Sequence, residues 1–480
     1  MDGLRAKILN GFAWEASMKV VSQLASWSST VIVARLLTPS DYGIVAISGI
    51  FVGMSLRLAG MGLGAALINK QDITTKETSN VFWLALLLSF VIYAALYILA
   101  PVIAAAYEVY ELEDVIQIAG FLIILGAISM VSRALLMRAL AFKVTAIVNA
   151  VANLVVTISA IIMAYSGFGY WSLIYSTVLG EVLMLVCFWY CAPFRVSLPD
   201  PKTSISHFYR YGLNILLSRM LDYLNGQWPI IVAGQALGKV ATGYFQMAYT
   251  IAALPLTKIG ELFYKIVFPS FSRIQHDRIR AGNMFLKIHR YLLFITLPMF
   301  LGIYSIADEL VIVALGEKWS PIIVPIKILS IVNLFMISAQ VLPRVLEGVG
   351  NSLANVIFQS ICAVIFPIVM FLGVTDGLNS MLLMWLASIP VCYCYLLFVA
   401  SKDLSFSIVD FIKSALPAIL AGVCMVFVCL LVGRLFSDNV SVAVILFLKM
   451  LFGASSYFIF YYLIRPIDIR EFISLVKNRS

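Results

Sequence analysis

The chain contains 480 residues, of which 62% are hydrophobic and only 12% are charged, and its formal net charge is +9. Globular domains have about 45–50% apolar and about 25% charged residues, so this composition excludes an ordinary soluble domain. The positive charge does not indicate a nucleic-acid partner, because membrane proteins accumulate Lys and Arg in their cytoplasmic loops.

Long apolar stretches predict an all-α, polytopic membrane protein with about fourteen transmembrane helices, since a spanning helix needs about 20 apolar residues. A barrel would show short alternating segments instead. We place the helices at residues 10–34, 42–66, 80–104, 115–137, 145–165, 170–191, 208–233, 242–270, 287–313, 322–347, 353–373, 379–400, 411–433 and 441–464. The connections are short, so consecutive helices run antiparallel.

The charges of the loops predict the orientation. With the N-terminus inside, eighteen Lys and Arg residues lie in cytoplasmic segments and four lie in the opposite loops. This bias places both termini in the cytoplasm. The longest connections, 192–207 and 271–287, are too short for a soluble catalytic domain, so we do not expect an enzyme.

The first helix carries a polar stripe that spans about 100° of its circumference. We interpret the stripe as the lining of a wet cavity, with the apolar face against lipid or other helices. Charges inside this helix also argue against a cleavable signal peptide. The stripe consists of Glu15, Lys19, Ser22, Ser26, Ser29 and Thr30.

The two halves of the chain resemble each other. Shifting the sequence by 199 residues aligns Glu15 with Asn214 and Lys19 with Ser218. When two extra residues are allowed in the next loop of the second half, residues 41–43 align with residues 242–244. We therefore predict two parallel repeats of six helices: an N-terminal lobe at 1–200 and a C-terminal lobe at 201–405. Residues 406–480 add helices 13 and 14 and a cytoplasmic tail.

Arg57 is the most informative charge at membrane depth, where a charge costs about 2.5–3.5 kcal/mol on insertion scales. It has no oppositely charged neighbour within four residues, and in the repeat alignment it matches Lys258. Two cations that face each other across the repeat axis suit a phosphate or pyrophosphate. Arg219 is a third candidate for this anionic site.

The other charges in the helices have a simpler interpretation, because many occur at helical spacing and can neutralise each other. For Lys449 two interpretations stay open: it lines a groove between the last helices, or it faces a lipid head group. His207, His276 and His289 are interpreted as surface residues, and the cysteines lack metal-ligand spacing. We expect no metal and no cofactor. The helically spaced pairs are Glu15–Lys19, Arg219–Asp222, Lys258–Glu261, Glu261–Lys265 and Arg344–Glu347.

The segment Ala34-Arg35-x-Leu37-x-Pro39-x-Asp41-Tyr42-Gly43 resembles the signature that follows the first helix of polysaccharide exporters. These are the Wzx-type flippases of the multidrug/oligosaccharidyl-lipid/polysaccharide superfamily. Residues 243–249, 268–275 and 316–319 resemble its colanic-acid-exporter branch. One departure is Pro229, which stands near the place where relatives often carry an acidic residue.

The resemblance implies a V-shaped bundle of two lobes around a cationic cavity in the bacterial inner membrane. It implies that the substrate is an oligosaccharide linked to undecaprenyl pyrophosphate, flipped by alternating access. Membrane lipid, a polysaccharide polymerase and a co-polymerase are the expected partners. Glu15, Asp222 and Glu261 are candidates for proton or sodium coupling, with Lys19, Asn214 and Ser218 lining the cavity.

Two alternatives stay open at this point. A drug or cation antiporter of the same fold would need an acidic cavity, and the buried cations argue against one. A membrane glycan polymerase or ligase usually carries a large outward loop with Arg or His, whereas the outward loops here are short. A purely structural protein would not need so many charges at membrane depth.

Overall fold

The computed structural model describes residues 23, 25–70, 72–192, 194, 196–203, 206–436, 440–468 and 471. Its description omits the side chains of residues 207, 209–215, 217–219, 258 and 261–266. Across these described ranges the regular structure is entirely helical, which confirms an all-α, polytopic fold. Eleven described segments are long and apolar enough to cross a membrane. The other three predicted helices, 10–34, 208–233 and 242–270, each contain residues or side chains outside the description, and the count of fourteen is compatible with this result.

The chain divides into two compact units, Met1–Gly243 and Tyr244–Ser480. The first unit has a core cluster to which Ile47, Ala100, Leu112 and Ile123 contribute from four helices. The helices that begin in this unit are α1 (25–36), α2 (Pro39–Gly60), α3 (Leu63–Asn69), α4 (Thr75–Ala106), α5 (Glu111–Ala119), α6 (Phe121–Arg138), α7 (Phe142–Tyr165), α8 (Trp171–Cys191) and α9 (Ser206–Ala252).

The second unit is built around α11, whose side chains Phe294 and Leu297 pack with Ala418 and Tyr457 of the last two helices. A π-helical turn (Val311–Leu315) and a 3-10 turn (Glu317–Ile322) connect α11 to α12. The helices are α10 (Leu254–Ser272), α11 (Arg278–Leu310), α12 (Ile323–Gly348), α13 (Ser352–Gly373), α14 (Leu378–Asp403), α15 (Ile408–Phe436) and α16 (Val442–Ile464).

The signature segment begins helix α2 by a capping box. The backbone N–H of Asp41 donates to Oγ1 of Thr38 at 3.3 Å, and the N–H of Thr38 donates to Oδ2 of Asp41 at 2.7 Å. Pro39 occupies the first helical turn, where its missing N–H costs nothing. The helix therefore starts three residues earlier than the predicted 42.

Three predicted helices are interrupted. The prediction of a continuous helix at 42–66 is wrong, because Met61 (φ 36°) and Gly62 (φ 64°) adopt left-handed conformations between α2 and α3. Gly120 separates α5 from α6 within predicted helix 115–137, and Ala253 separates α9 from α10 within 242–270. In each case apolar composition predicts the span but carries no signal for the interruption.

Helix α11 begins at Arg278, nine residues before the predicted 287, because Asp277 caps it. Its Oδ1 accepts from the N–H of Arg280 at 3.0 Å. The predicted connection 271–287 thus shrinks to residues 273–277. The longer helix carries His289 into the protein, so the prediction of a surface histidine is wrong for this residue.

His289 is buried, and both ring nitrogens have hydroxyl partners. Nδ1 lies 3.0 Å from Oγ of Ser414, and Nε2 lies 3.3 Å from Oγ of Ser338. The Ser414 hydroxyl donates to the carbonyl of Phe411, so it accepts from Nδ1–H. The neutral ring then accepts from Ser338 at Nε2 and connects α11 with α12 and α15.

Candidate functional site

Arg57 lies on α2, inside the apolar segment Pro39–Asn69, with an exposed side chain. Its Nη1 donates to the carbonyl of Gly53 at 2.8 Å, one turn earlier on the same helix. The guanidinium carbon lies 3.9 Å from the centre of the Tyr223 ring on α9. Cation–π contact of this kind attracts the guanidinium to the ring face, so the Tyr223 ring occupies one face of the cation.

The hydroxyl of Tyr223 also contacts α2. Its Oη–H points at two consecutive carbonyl oxygens, those of Gly49 at 3.1 Å and Ile50 at 2.8 Å. This approach needs Gly53, because a Cβ at that position would collide with the Tyr223 hydroxyl. Small residues are the usual means by which membrane helices come this close.

The guanidinium of Arg57 keeps most of its hydrogen-bonding capacity. Arginine has five N–H donors, and toward the described residues a single one is used, that to Gly53. The ion pairs formed between described residues do not include Arg57. A cation that is exposed, oriented and not neutralised by a carboxylate in this part of the structure is suited to bind an anion.

The signature segment also makes backbone contact with α9, at a place that we call the glycine crossing: Pro39, Gly43, Lys239 and Gly243. A Cβ on Gly43 would overlap the carbonyl of Lys239, and a Cβ on Gly243 would overlap the carbonyl of Pro39. Gly238, with φ 79°, bends α9 just before the crossing. The Lys239 ammonium lies 2.5 Å from a carboxylate oxygen of Glu111 on α5.

A family model described as polysaccharide biosynthesis protein matches residues 32–324, more than half of the chain. The chain belongs to this polysaccharide biosynthesis family. The resemblance found in the signature segment is thereby confirmed.

Two proteins similar to this chain are named for the biosynthesis of lipopolysaccharide or teichuronic acid. The chain is 22% identical over 360 residues to the lipopolysaccharide biosynthesis protein WzxC of Escherichia coli (strain K12), covering 74% of this chain and 70% of WzxC. It is 21% identical over 390 residues to the teichuronic acid biosynthesis protein TuaB of Bacillus subtilis (strain 168), covering 78% of each. A membrane protein in the cps region of Klebsiella pneumoniae is 24% identical, covering 95% and 94%.

Solved structures of membrane transporters share the fold of this chain. The lipid II flippase MurJ, in an inward closed conformation, aligns with a TM-score of 0.73 at 18% identity, covering 96% of this chain and 99% of MurJ. An inward-facing MATE transporter of the MOP superfamily aligns with a TM-score of 0.61 at 15% identity, covering 80% and 96%. The fold is therefore that of the MurJ and MATE transporters.

Most of the other predicted site residues of this polysaccharide biosynthesis protein are outside the described part. Asp222 is described: it lies on α9 beside Tyr223, is exposed and interacts with a neighbouring group. The remaining assignments stay predictions. Glu15 and Lys19 precede the described residues, and only the backbone is described for Asn214, Ser218, Arg219, Lys258 and Glu261.

Tyr223 is the site residue that sequence reasoning missed, although a signal for it exists. Gly49 and Gly53 are four residues apart on α2, and that spacing predicts a close helix contact. The close contact is made at Gly53 alone, because a Cβ at Gly49 would meet no atom within 4 Å. The spacing Gly60–Gly64, which the sequence presents equally, does not serve this purpose. It straddles the break between α2 and α3, and a Cβ at Gly60 would meet no atom within 4 Å.

Several charges elsewhere are paired, either within one helix or between two helices. Arg344 and Glu347 form the predicted ion pair at 2.8 Å. Lys449 neither lines a groove nor faces lipid: it is buried, 2.6 Å from Glu309 of α11. Lys327 pairs with Asp308 at 2.6 Å.

Proposed function

We propose that this polysaccharide biosynthesis protein is a flippase. It translocates an oligosaccharide repeat unit, linked to undecaprenyl pyrophosphate, across the bacterial inner membrane by alternating access. The product serves the synthesis of a surface polysaccharide such as an exopolysaccharide, capsule or O-antigen. The observation that carries the proposal is Arg57, an exposed and oriented guanidinium at membrane depth that has no carboxylate partner among the described residues.

The chemistry of Arg57 fits a pyrophosphate group. The planar guanidinium can donate two parallel hydrogen bonds to one phosphate, which a point charge such as ammonium cannot do. Holding a cation in an apolar span costs about 2.5–3.5 kcal/mol on insertion scales, and an anionic ligand offsets that cost when it binds. Lys258 and Arg219 would supply further positive charge to the same head group.

The polyprenyl tail and the sugars of the substrate need fewer specific contacts with the protein than the pyrophosphate does. The polyprenyl tail stays in the lipid, and the sugars meet the polar positions of the first and seventh predicted helices. These positions are Glu15, Lys19, Asn214 and Ser218. Glu15, Asp222 and Glu261 would couple the movement to a proton or sodium gradient. No bond is made or broken, so the protein acts as a transporter and not as an enzyme.

The orientation and partners follow from the same proposal. The excess of Lys and Arg in one set of loops places both termini in the cytoplasm. The lipid-linked repeat unit is then received on the cytoplasmic side and delivered to a polymerase and its co-polymerase on the other. The family, the names of its relatives and the MurJ-like fold support the flippase function from which this orientation and these partners are inferred.

A deletion strain tests the proposal. Its lipid-linked glycans would be extracted, and their leaflet determined by accessibility to an impermeant label in intact spheroplasts. Accumulation of a complete repeat unit in the cytoplasmic leaflet supports the flippase. Normal translocation with loss of polymer would indicate an enzyme that acts after the flip. An unchanged glycan pool would overturn the proposal and favour a drug or cation antiporter.

A further inference from the structure

Tyr223 contacts Arg57 and α2 in a way that an ordinary helix contact does not require. Its ring covers one face of the guanidinium at 3.9 Å, and its hydroxyl points at two carbonyl oxygens of the helix that carries Arg57. The ring therefore has little freedom to move away from the cation while α9 stays against α2. Arg57 in turn is fixed at Nη1 by the carbonyl of Gly53.

We propose that Tyr223 is a positioning residue that holds the guanidinium of Arg57 in the orientation that receives the anionic head group. The proposal rests on the proposed function, because it presumes that Arg57 binds a pyrophosphate. An exposed arginine side chain has several freely rotating bonds, and binding must immobilise them. Tyr223 and Gly53 together immobilise them before the ligand arrives.

The two fixing contacts leave most donors of the guanidinium for the ligand. The ring occupies one face and Gly53 takes one of the five donors, so the other four N–H groups have no hydrogen-bond partner among the described residues. Because the ring attracts the cation without neutralising its charge, it orients the group at no cost to its affinity for phosphate. A carboxylate in place of Tyr223 would orient Arg57 equally well but would compete with the ligand.

Gly53 gives an independent way to disturb Tyr223. A methyl group at this position would meet the Tyr223 hydroxyl and would lie 3.4 Å from Nη1 of Arg57. Gly53→Ala should therefore displace the ring without altering either functional side chain. Gly60→Ala is the matched control, since the added Cβ, also on α2, meets nothing within 4 Å.

The experiment measures binding of farnesyl pyrophosphate to the purified full-length protein in lipid nanodiscs. We expect Tyr223→Leu and Gly53→Ala to weaken binding by roughly 3- to 30-fold, the range of a cation–π contact expressed as an affinity ratio. Tyr223→Phe keeps the ring but loses both carbonyl contacts, so a smaller loss is expected. Gly60→Ala should bind like the unaltered protein.

A double-variant cycle separates positioning from general structural support. In an Arg57→Lys background, Tyr223→Leu should have a smaller effect, because the ammonium has no planar face that stacking on the ring could orient. Equal losses in both backgrounds would mean that Tyr223 only supports the fold, and would overturn the proposal. Thermal melting of every variant identifies losses that come from unfolding.

The outcomes distinguish this inference from the function on which it rests. If Arg57→Ala abolishes binding while Tyr223→Leu and Gly53→Ala bind normally, the positioning role is wrong and the head-group site stands. If Arg57→Ala itself binds farnesyl pyrophosphate normally, the head-group role of Arg57 fails, and the role of Tyr223 fails with it.

Discussion

The ammonium of Lys449 on α16 lies 2.6 Å from Oε1 of Glu309 on α11, and the two side chains are only 8% and 13% exposed. The same ammonium also donates to the carbonyl of Ser305 at 3.3 Å. A buried ion pair of this kind is strongly coupled, because removal of one partner leaves the other as an uncompensated charge. The pair therefore connects α16 with α11, the longest helix of the second unit.

Lys449→Met should lower the free energy of unfolding by about 3 kcal/mol, because Glu309 would stay buried without its partner. Thermal melting of the purified protein in detergent measures the loss. The double variant Glu309→Gln/Lys449→Met should recover most of it. Lys327→Met is the matched control: the Lys327–Asp308 pair is 30% and 47% exposed, so its loss should cost less than about 1 kcal/mol. Equal losses for both lysines would contradict the special role of the buried pair.

The glycine crossing predicts a second set of phenotypes. Gly43→Ala and Gly243→Ala each place a methyl group on a backbone carbonyl, which cannot move aside as a flexible side chain can. Overpacking typically costs about 1–3 kcal/mol, and α2 or α9 must shift to relieve it. We expect both variants to lose thermal stability and transport of lipid-linked glycan.

Gly226→Ala on α9 is the control for the crossing, since its added Cβ meets no atom within 4 Å. It should melt and transport like the unaltered protein. If Gly43→Ala behaves like Gly226→Ala, then α2 and α9 do not approach at backbone distance in the membrane.

Hydropathy predicts the spans of this protein well, because bilayer thickness sets the length of each apolar stretch. The predicted helices 322–347 and 441–464 correspond to Ile323–Gly348 and Val442–Ile464 within one residue. The start of α11 lies outside the predicted helix, since its first turns are polar and hydropathy carries no signal for the cap at Asp277. The breaks at Met61 and Gly120 have no hydropathy signal, because neither residue interrupts the apolar run.

Contacts between helices were the main feature that sequence spacing did not predict. Helical spacing identifies Arg344–Glu347 on one helix, whereas Glu309 and Lys449 are 140 positions apart and meet only through tertiary packing. The same applies to Tyr223, which reaches α2 across 173 positions. The repeat alignment pairs residues 41–43 with 242–244 as equivalents, and it gave no reason to expect that these segments touch.

Asp200 gives the protein a pH dependence outside the membrane spans. Its hydrogen bond with the Lys76 ammonium, together with those from the N–H of Lys202 and the hydroxyl of Thr203, lowers the pKa of this carboxyl from its ordinary 3.8. A lowered pKa means that the ionised form stabilises the folded state above about pH 4, and that this contribution disappears as the pH falls through the folded-state pKa.

Asp200→Asn should therefore lower the melting temperature by the same small amount at every pH between 5 and 8. The difference from the unaltered protein should vanish below the lowered pKa. Melting curves of both proteins from pH 8 down to below the lowered pKa give the measurement. A difference that grows as the pH falls from 5 would contradict the assignment.

Arg57 carries the proposed function, and its substitution should separate transport from folding. Arg57→Ala should abolish polysaccharide export while the protein stays in the membrane at normal amounts, because the side chain is exposed and its ring and carbonyl contacts contribute little to stability. Arg57→Lys keeps the charge but loses bidentate donation to phosphate, so export should fall by roughly 10-fold, about the effect of one lost charge-assisted hydrogen bond. Export would be measured as polymer per cell in a complemented deletion strain, with membrane levels determined by immunoblot. Full export by a well-expressed Arg57→Ala protein would show that the head group is held elsewhere, and the side chains of Lys258 and Arg219 would then be the next to change.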